Sequence, residues 1–158
     1  MMPQRSTDMD IQREVPPEQR AFIRRVPFAR LLGVDLRHFK DGQSEVYFAP
    51  TPEHLNNFDV THGGACMTLL DIAMATAARS VAPGSGVVTI EMKTSFMLPA
   101  VGPLTARGKL LHRTPSMAFV EATIFDSHGR ACTQSSGTFK YVKRPPGSAT
   151  DTRPLPTD

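Results

Sequence analysis

The residue with the clearest chemical potential is Asp71, which stands in the run Gly63-Gly64-Ala65-Cys66-Met67-Thr68-Leu69-Leu70-Asp71-Ile72-Ala73-Met74-Ala75-Thr76-Ala77-Ala78. That run is apolar or small on almost every side, so a helix built from it must be buried all round. A carboxylate carried into such surroundings loses solvation, and burial should raise its pKa and its basicity. The alternative is structural: an Asp that hydrogen-bonds nearby backbone or pairs with an Arg across a subunit boundary. Gly63 and Gly64 open the same helix, where unpaired N–H groups and the positive end of the dipole favour developing negative charge. They could form an oxyanion hole, or they could satisfy only the loop geometry that glycine permits. His62 and Asn56 lie in the polar loop leading in. A His opening a helix commonly fixes its loop through backbone hydrogen bonds, and Asn in a turn has its own backbone uses.

The elements that must position these residues can be read from periodicity and breakers. A helix over about 63–80 is closed by Pro83-Gly84-Ser85-Gly86, which can neither continue a helix nor begin a strand. Before it, 34–39 and 44–48 read as strands joined by Lys40-Asp41-Gly42-Gln43, and Asp-Gly favours a tight hairpin turn. After it come four strand candidates at 87–96, 104–112, 118–125 and 131–141, separated by Pro-, Gly- and Ser-rich breaks. Residues 16–25 read as a short helix, and 28–32 as a further turn stopped by Gly33. This lead-in is expected to pack across a sheet edge. The layout is α+β: an antiparallel sheet of about six strands curled round one long central helix. The alanines at 73, 75, 77 and 78 would let the sheet approach closely. A single curled sheet leaves edges exposed, so a homodimer is the expected minimum unit.

Composition narrows the classes. The chain has 158 residues, 40% hydrophobic and 21% charged, the size of one ordinary domain. Residues 1–15 and 144–158 read as flexible tails, the second rich in proline, flanking a domain at 16–143. Nothing approaches the ~20 apolar residues of a membrane span, and no secretory signal opens the chain, so a cytoplasmic location without membrane contact is expected. Cys66 and Cys132 read as reduced, buried or half-buried thiols. The net charge of +3 and pI near 9.1 are mildly basic, but Lys and Arg are scattered, so nucleic acid is not an expected partner. Arg107, Lys109, Arg113, Lys140, Lys143 and Arg144 could meet a phosphorylated substrate, or could simply form a solvated strand face. No recurring His and carboxylate spacing suggests a metal.

His62-Gly63-Gly64 at a helix start, Asn56 six residues before the His and Asp71 nine after it together resemble the hotdog-fold acyl-CoA thioesterases of the phenylacetic-acid-degradation type. The stretch 86–100 looks like the family's long strand after the central helix. With Pro27-Phe28-Ala29-Arg30-Leu31-Leu32-Gly33 at the front, the resemblance covers most of the chain from Pro27 to Tyr141. It implies hydrolysis of an acyl-CoA to a carboxylic acid and CoA, with no cofactor beyond the CoA of the substrate. Asp71 would be either a general base or a nucleophile, and the Gly63 N–H the oxyanion donor. Asn56 would orient water or the carbonyl, Thr89 would help hold water near the acid, and His62 could polarise the thioester oxygen. The loop residues and the acid of one site would come from different protomers of a dimer or a dimer of dimers. Two rivals remain at this stage: a hotdog enoyl-CoA hydratase or dehydratase, and a non-catalytic acyl-CoA-binding protein.

Overall fold

The computed structural model describes residues 17–143, so both expected tails lie outside the described residues. Helices α1 (Pro17–Arg24) and α2 (Pro27–Leu32) lead into strands β1 (Asp35–Lys40) and β2 (Gln43–Phe48). A 3-10 turn at Pro52–His54 precedes the long helix α3 (Gly63–Ser80). Strands β3 (Ser85–Phe96), β4 (Leu104–Arg113), β5 (Met117–Phe125) and β6 (Ala131–Lys143) complete the order. The six strands form one antiparallel sheet, β1-β2-β4-β5-β6-β3. Helix α3 lies against this sheet and touches every strand, with α1 packed beside the edge strand β1 as the sequence suggests. This is the hotdog fold, α+β as expected.

Local chemistry accounts for each of these features. Asp41 and Gly42 adopt φ of 52° and 77°, the left-handed pair that a two-residue hairpin demands, with Lys40 and Gln43 as the closing pair. The tip is tied to the end of α3, where the Gly42 N–H donates to Ser80 Oγ at 2.7 Å. Gly33 ends α2 at φ 72°, a C-cap that accepts no Cβ without strain. Strand ends differ from the sequence reading by one or two residues, as hydrogen bonding extends past the apolar pattern.

The core forms where α3 meets the inward faces of the strands. Leu69, Leu70, Ala73, Met74, Ala77 and Ala78 are fully buried against residues such as Val46, Leu104, Ala122 and Phe139. Small side chains matter on both sides of this contact. A Cβ at Gly108 of β4 would overlap the Ala73 carbonyl oxygen, which already accepts the Ser44 hydroxyl at 2.6 Å. The sheet therefore approaches α3 closely at its middle, through Gly108 as well as through the alanines.

Candidate active site

The loop before α3 is built largely by its own polar groups. The Leu55–Thr61 bridge closes it, the His62 N–H donates to His54 O at 2.8 Å, and the Asn56 N–H to Val60 O at 2.8 Å. Asn56 Oδ1 accepts the N–H groups of Phe58 (2.9 Å) and Val60 (3.3 Å), a turn of the kind that favours Asn. Asp59 sits at φ 58°, a left-handed conformation that Asp tolerates better than most residues. With Oδ1 committed to the loop, Asn56 keeps its Nδ2 as a further donor.

At the start of α3, His62 is the N-cap and its Nδ1 accepts the Gly64 N–H at 2.9 Å. The ring is thus engaged in fixing the helix entry. The neighbouring Gly63 N–H has no acceptor among the described residues, so one helix-terminal donor stays open. Gly63 also lies close to Phe96, whose ring a Cβ there would crowd at 3.3 Å. Asn56, Gly63 and Phe96 border a cleft of about 540 Å³ whose other walls include Met97, Leu98 and Thr133. Of these, sequence reasoning missed Phe96, Met97 and Leu98 as cleft residues, although an apolar run just past a strand end was a usable signal. For Thr133 the sequence carried none.

Asp71 is elsewhere. Eight residues beyond Gly63 on α3, it is about 12 Å further along the helix axis. The carboxylate is half-buried, and that burial pushes its pKa above the ordinary Asp value, partly offset by a hydrogen bond from Thr89 Oγ1 to Oδ1 at 2.6 Å. Thr89 can make this bond because it stands opposite the fully buried Phe139 in the β3–β6 ladder, on the α3 side of the sheet, although Thr89 itself is exposed. Asp71 borders a second, smaller cleft of about 340 Å³ between α3, the start of β3 and the lead-in, with Ile23 and Val26 on its far wall. Those two residues also escaped the sequence reading, because nothing local connects residue 23 with residue 71.

One protomer therefore joins Asp71 with Thr89, and Asn56 with Gly63, but does not bring the two pairs together. Cysteine is a poor nucleophile here: burial raises the Cys66 thiol above its usual pKa, which a hydrogen bond with Thr133 only partly counters, and burial likewise raises Cys132. Both cysteines are free and buried. No group of three or more His, Cys, Asp or Glu that could hold a metal occurs among the described residues. Arg107, one of the cations considered for phosphate, is paired with Glu45 at 2.9 Å, and Arg113 donates to Val81 O at 2.7 Å. No helix among the described residues is long and apolar enough to cross a membrane.

Comparison with known proteins places this geometry. A Saccharolobus solfataricus protein that carries the provisional name of an esterase is 29% identical over 116 residues, covering 73% of this chain and 82% of its own. The solved structure of a conserved Pseudomonas aeruginosa protein superposes with a TM-score of 0.70 at 26% identity, covering 73% of this chain and 93% of that one. The Escherichia coli PaaI protein of the phenylacetic acid degradation operon shares the fold, with a TM-score of 0.72 at 23% identity over 77% of this chain and 88% of that one. The family model of the thioesterase superfamily matches residues 58–133, a span that holds the free Gly63 N–H, Asp71 and its partner Thr89. Over that span the chain is similar to the thioesterase superfamily.

Proposed function

We propose that the protein is an acyl-CoA thioesterase of the phenylacetic-acid-degradation type, acting as a homodimer with its sites at the protomer boundary. The observation that carries the reading is the half-buried, basic Asp71 held by Thr89, together with an open Gly63 N–H that one protomer cannot bring to the same carbonyl. Among the described residues, β3 is an edge strand of 12 residues, paired on one side only, with β6. An antiparallel two-fold pairing along its whole length sets Phe96 of one chain opposite Ser85 of the other. The Asn56–Gly63 cleft of each protomer then meets the Asp71 cleft of its partner.

In that arrangement the thioester carbonyl lies between the clefts. Asp71 removes a proton from water as the oxygen attacks the carbonyl carbon. The carbonyl oxygen becomes an oxyanion that accepts from the N–H of Gly63 of the partner subunit, with Asn56 Nδ2 as a further donor. Collapse breaks the C–S bond, and the departing thiolate takes the proton from Asp71. Direct attack by the Asp71 carboxylate, giving an anhydride that water then opens, uses the same groups. Single-turnover hydrolysis in ¹⁸O-water separates the routes, since label enters Asp71 only in the second. The hydratase alternative pairs a His with the acid; no histidine of the same protomer borders the Asp71 cleft among the described residues, and His62, which the partner would bring near it, already uses Nδ1 to accept the Gly64 N–H.

The deciding test is release of free CoA thiol from acetyl-, octanoyl- and phenylacetyl-CoA. Asp71→Asn keeps the shape of the side chain, so it should melt normally while kcat/KM falls by about 10² to 10⁴, the range for a lost general base. A normally folded variant with near wild-type turnover would make Asp71 structural and the reading wrong. Acyl-CoA binding with no CoA release by the wild type would leave a binding protein instead.

A further inference from the structure

We infer that the cleft beside Asp71 is the acyl pocket and that it takes an apolar chain of medium length, with Ala75 setting its bore and Ile23 closing it. This rests on the thioesterase reading. The cleft is bounded on α3 by Asp71 at one end and Arg79 at the other, two turns and about 12 Å apart. Between them the wall is Ile72, Ala75 and Val87, with no charged group. The hydroxyl of Thr76 donates to Ile72 O and so is not left as a free donor.

Ala75 lies four residues after Asp71, one turn on along the same helix stripe. A chain leaving a carbonyl held at Asp71 must pass it, and a methyl side chain is what leaves room. Ile23 comes from α1 and is buried, so the far side of the cleft is shut by the lead-in and not by the sheet. With C–C bonds of about 1.5 Å in a zigzag, roughly eight to ten carbons span the distance to Arg79. The walls of the other cleft include Phe96, Met97 and Leu98, an apolar lining separate from that of the Asp71 cleft.

The test is a chain-length series on the full-length protein, from acetyl-CoA to lauroyl-CoA, with kcat/KM read for each. In the wild type kcat/KM should climb by about fourfold per added methylene and level off near eight to ten carbons. In Ala75→Phe the climb should stop after the first few carbons, lowering the octanoyl-to-acetyl ratio by at least about tenfold. Ile23→Ala should move the plateau to longer chains. Met97→Trp, in the other cleft, should change all chain lengths by a common factor. If Ala75→Phe does not fold, Ala75→Leu takes its place with the same expected change of slope. An unchanged slope in the folded variant overturns the assignment, as does a wild type without chain-length dependence. If the wild type hydrolyses no acyl-CoA, the thioesterase reading fails. The pocket is then judged by calorimetry with S-octyl-CoA and S-ethyl-CoA: tighter octyl binding that Ala75→Phe abolishes upholds it, and equal binding by the wild type removes it.

Discussion

Two opposing influences on Asp71 fix how its carboxyl titrates. Burial raises its pKa and the Thr89 hydroxyl lowers it, with burial the larger. Raising the folded-state pKa above the unfolded value means that the group favours folding at low pH, and that this contribution fades as pH climbs through the raised pKa. Activity that needs the carboxylate runs the other way and rises over the same interval. Thr89→Val removes the lowering influence and should displace the rising limb of the pH–rate profile to higher pH, with little change in its shape. A pH–rate series on both proteins checks this, and a limb that stays in place or moves down would break the link between the two residues. Asp71→Asn, having no charge to desolvate, should be at least as stable as the wild type at neutral pH and lose that advantage in acid. Thermal melts at both pH values measure it.

Helix α3 and the sheet meet most tightly at Gly108 and Ala73. The Ala73 carbonyl oxygen takes the Ser44 hydroxyl, and the space a Cβ at Gly108 would need is already filled by backbone and by that hydroxyl. Backbone cannot swing aside as a flexible side chain does. Gly108→Ala should therefore cost about 1–3 kcal/mol, the range for overpacking a filled core, in spite of alanine's better intrinsic propensity. The measurement is a denaturant midpoint. Because the same contact seats the helix that carries both Gly63 and Asp71, kcat should fall alongside stability. Stability at or above that of the wild type would mean that the sheet and α3 can part without loss.

Across the whole molecule, the unpaired edge of β3 is the feature that asks for a partner. Exposed apolar side chains gather there and just beyond, including Ile90 at 54% and Phe96 at 56% exposure. A long apolar edge left in water invites pairing with another chain. A second copy would meet that need and, in the proposed arrangement, would also complete the site that one protomer leaves in halves. Sedimentation should show a dimer or a multiple of one, and specific activity should drop as dilution dissociates it. An active monomer at nanomolar concentration would defeat the shared-site arrangement.

Much of this was readable along the chain because it is local. Asp-Gly between two alternating strands specifies its turn, and Pro83-Gly84 ends a helix whoever its neighbours are. The direction of the Asp71 pKa was legible from the apolar residues around it, but the expectation that α3 is buried all round does not hold: Met67 is exposed, and Asp71, Ile72 and Ala75 are only half-buried. The engagement of His62 in the loop was legible as well, since an N-cap uses only its own backbone. The tertiary structure alone decided what depends on residues distant in sequence. Thr89 reaches Asp71 because the ladder with β6 sets it on the α3 side of the sheet, and Gly108 is confined by a helix 35 residues away in the chain. Ile23 closes a cleft opened by residue 71, and Gly63 and Asp71, neighbours in any sequence motif, are held in separate clefts by the rise of the helix between them. Periodicity records which face of an element is buried, but not which other element buries it.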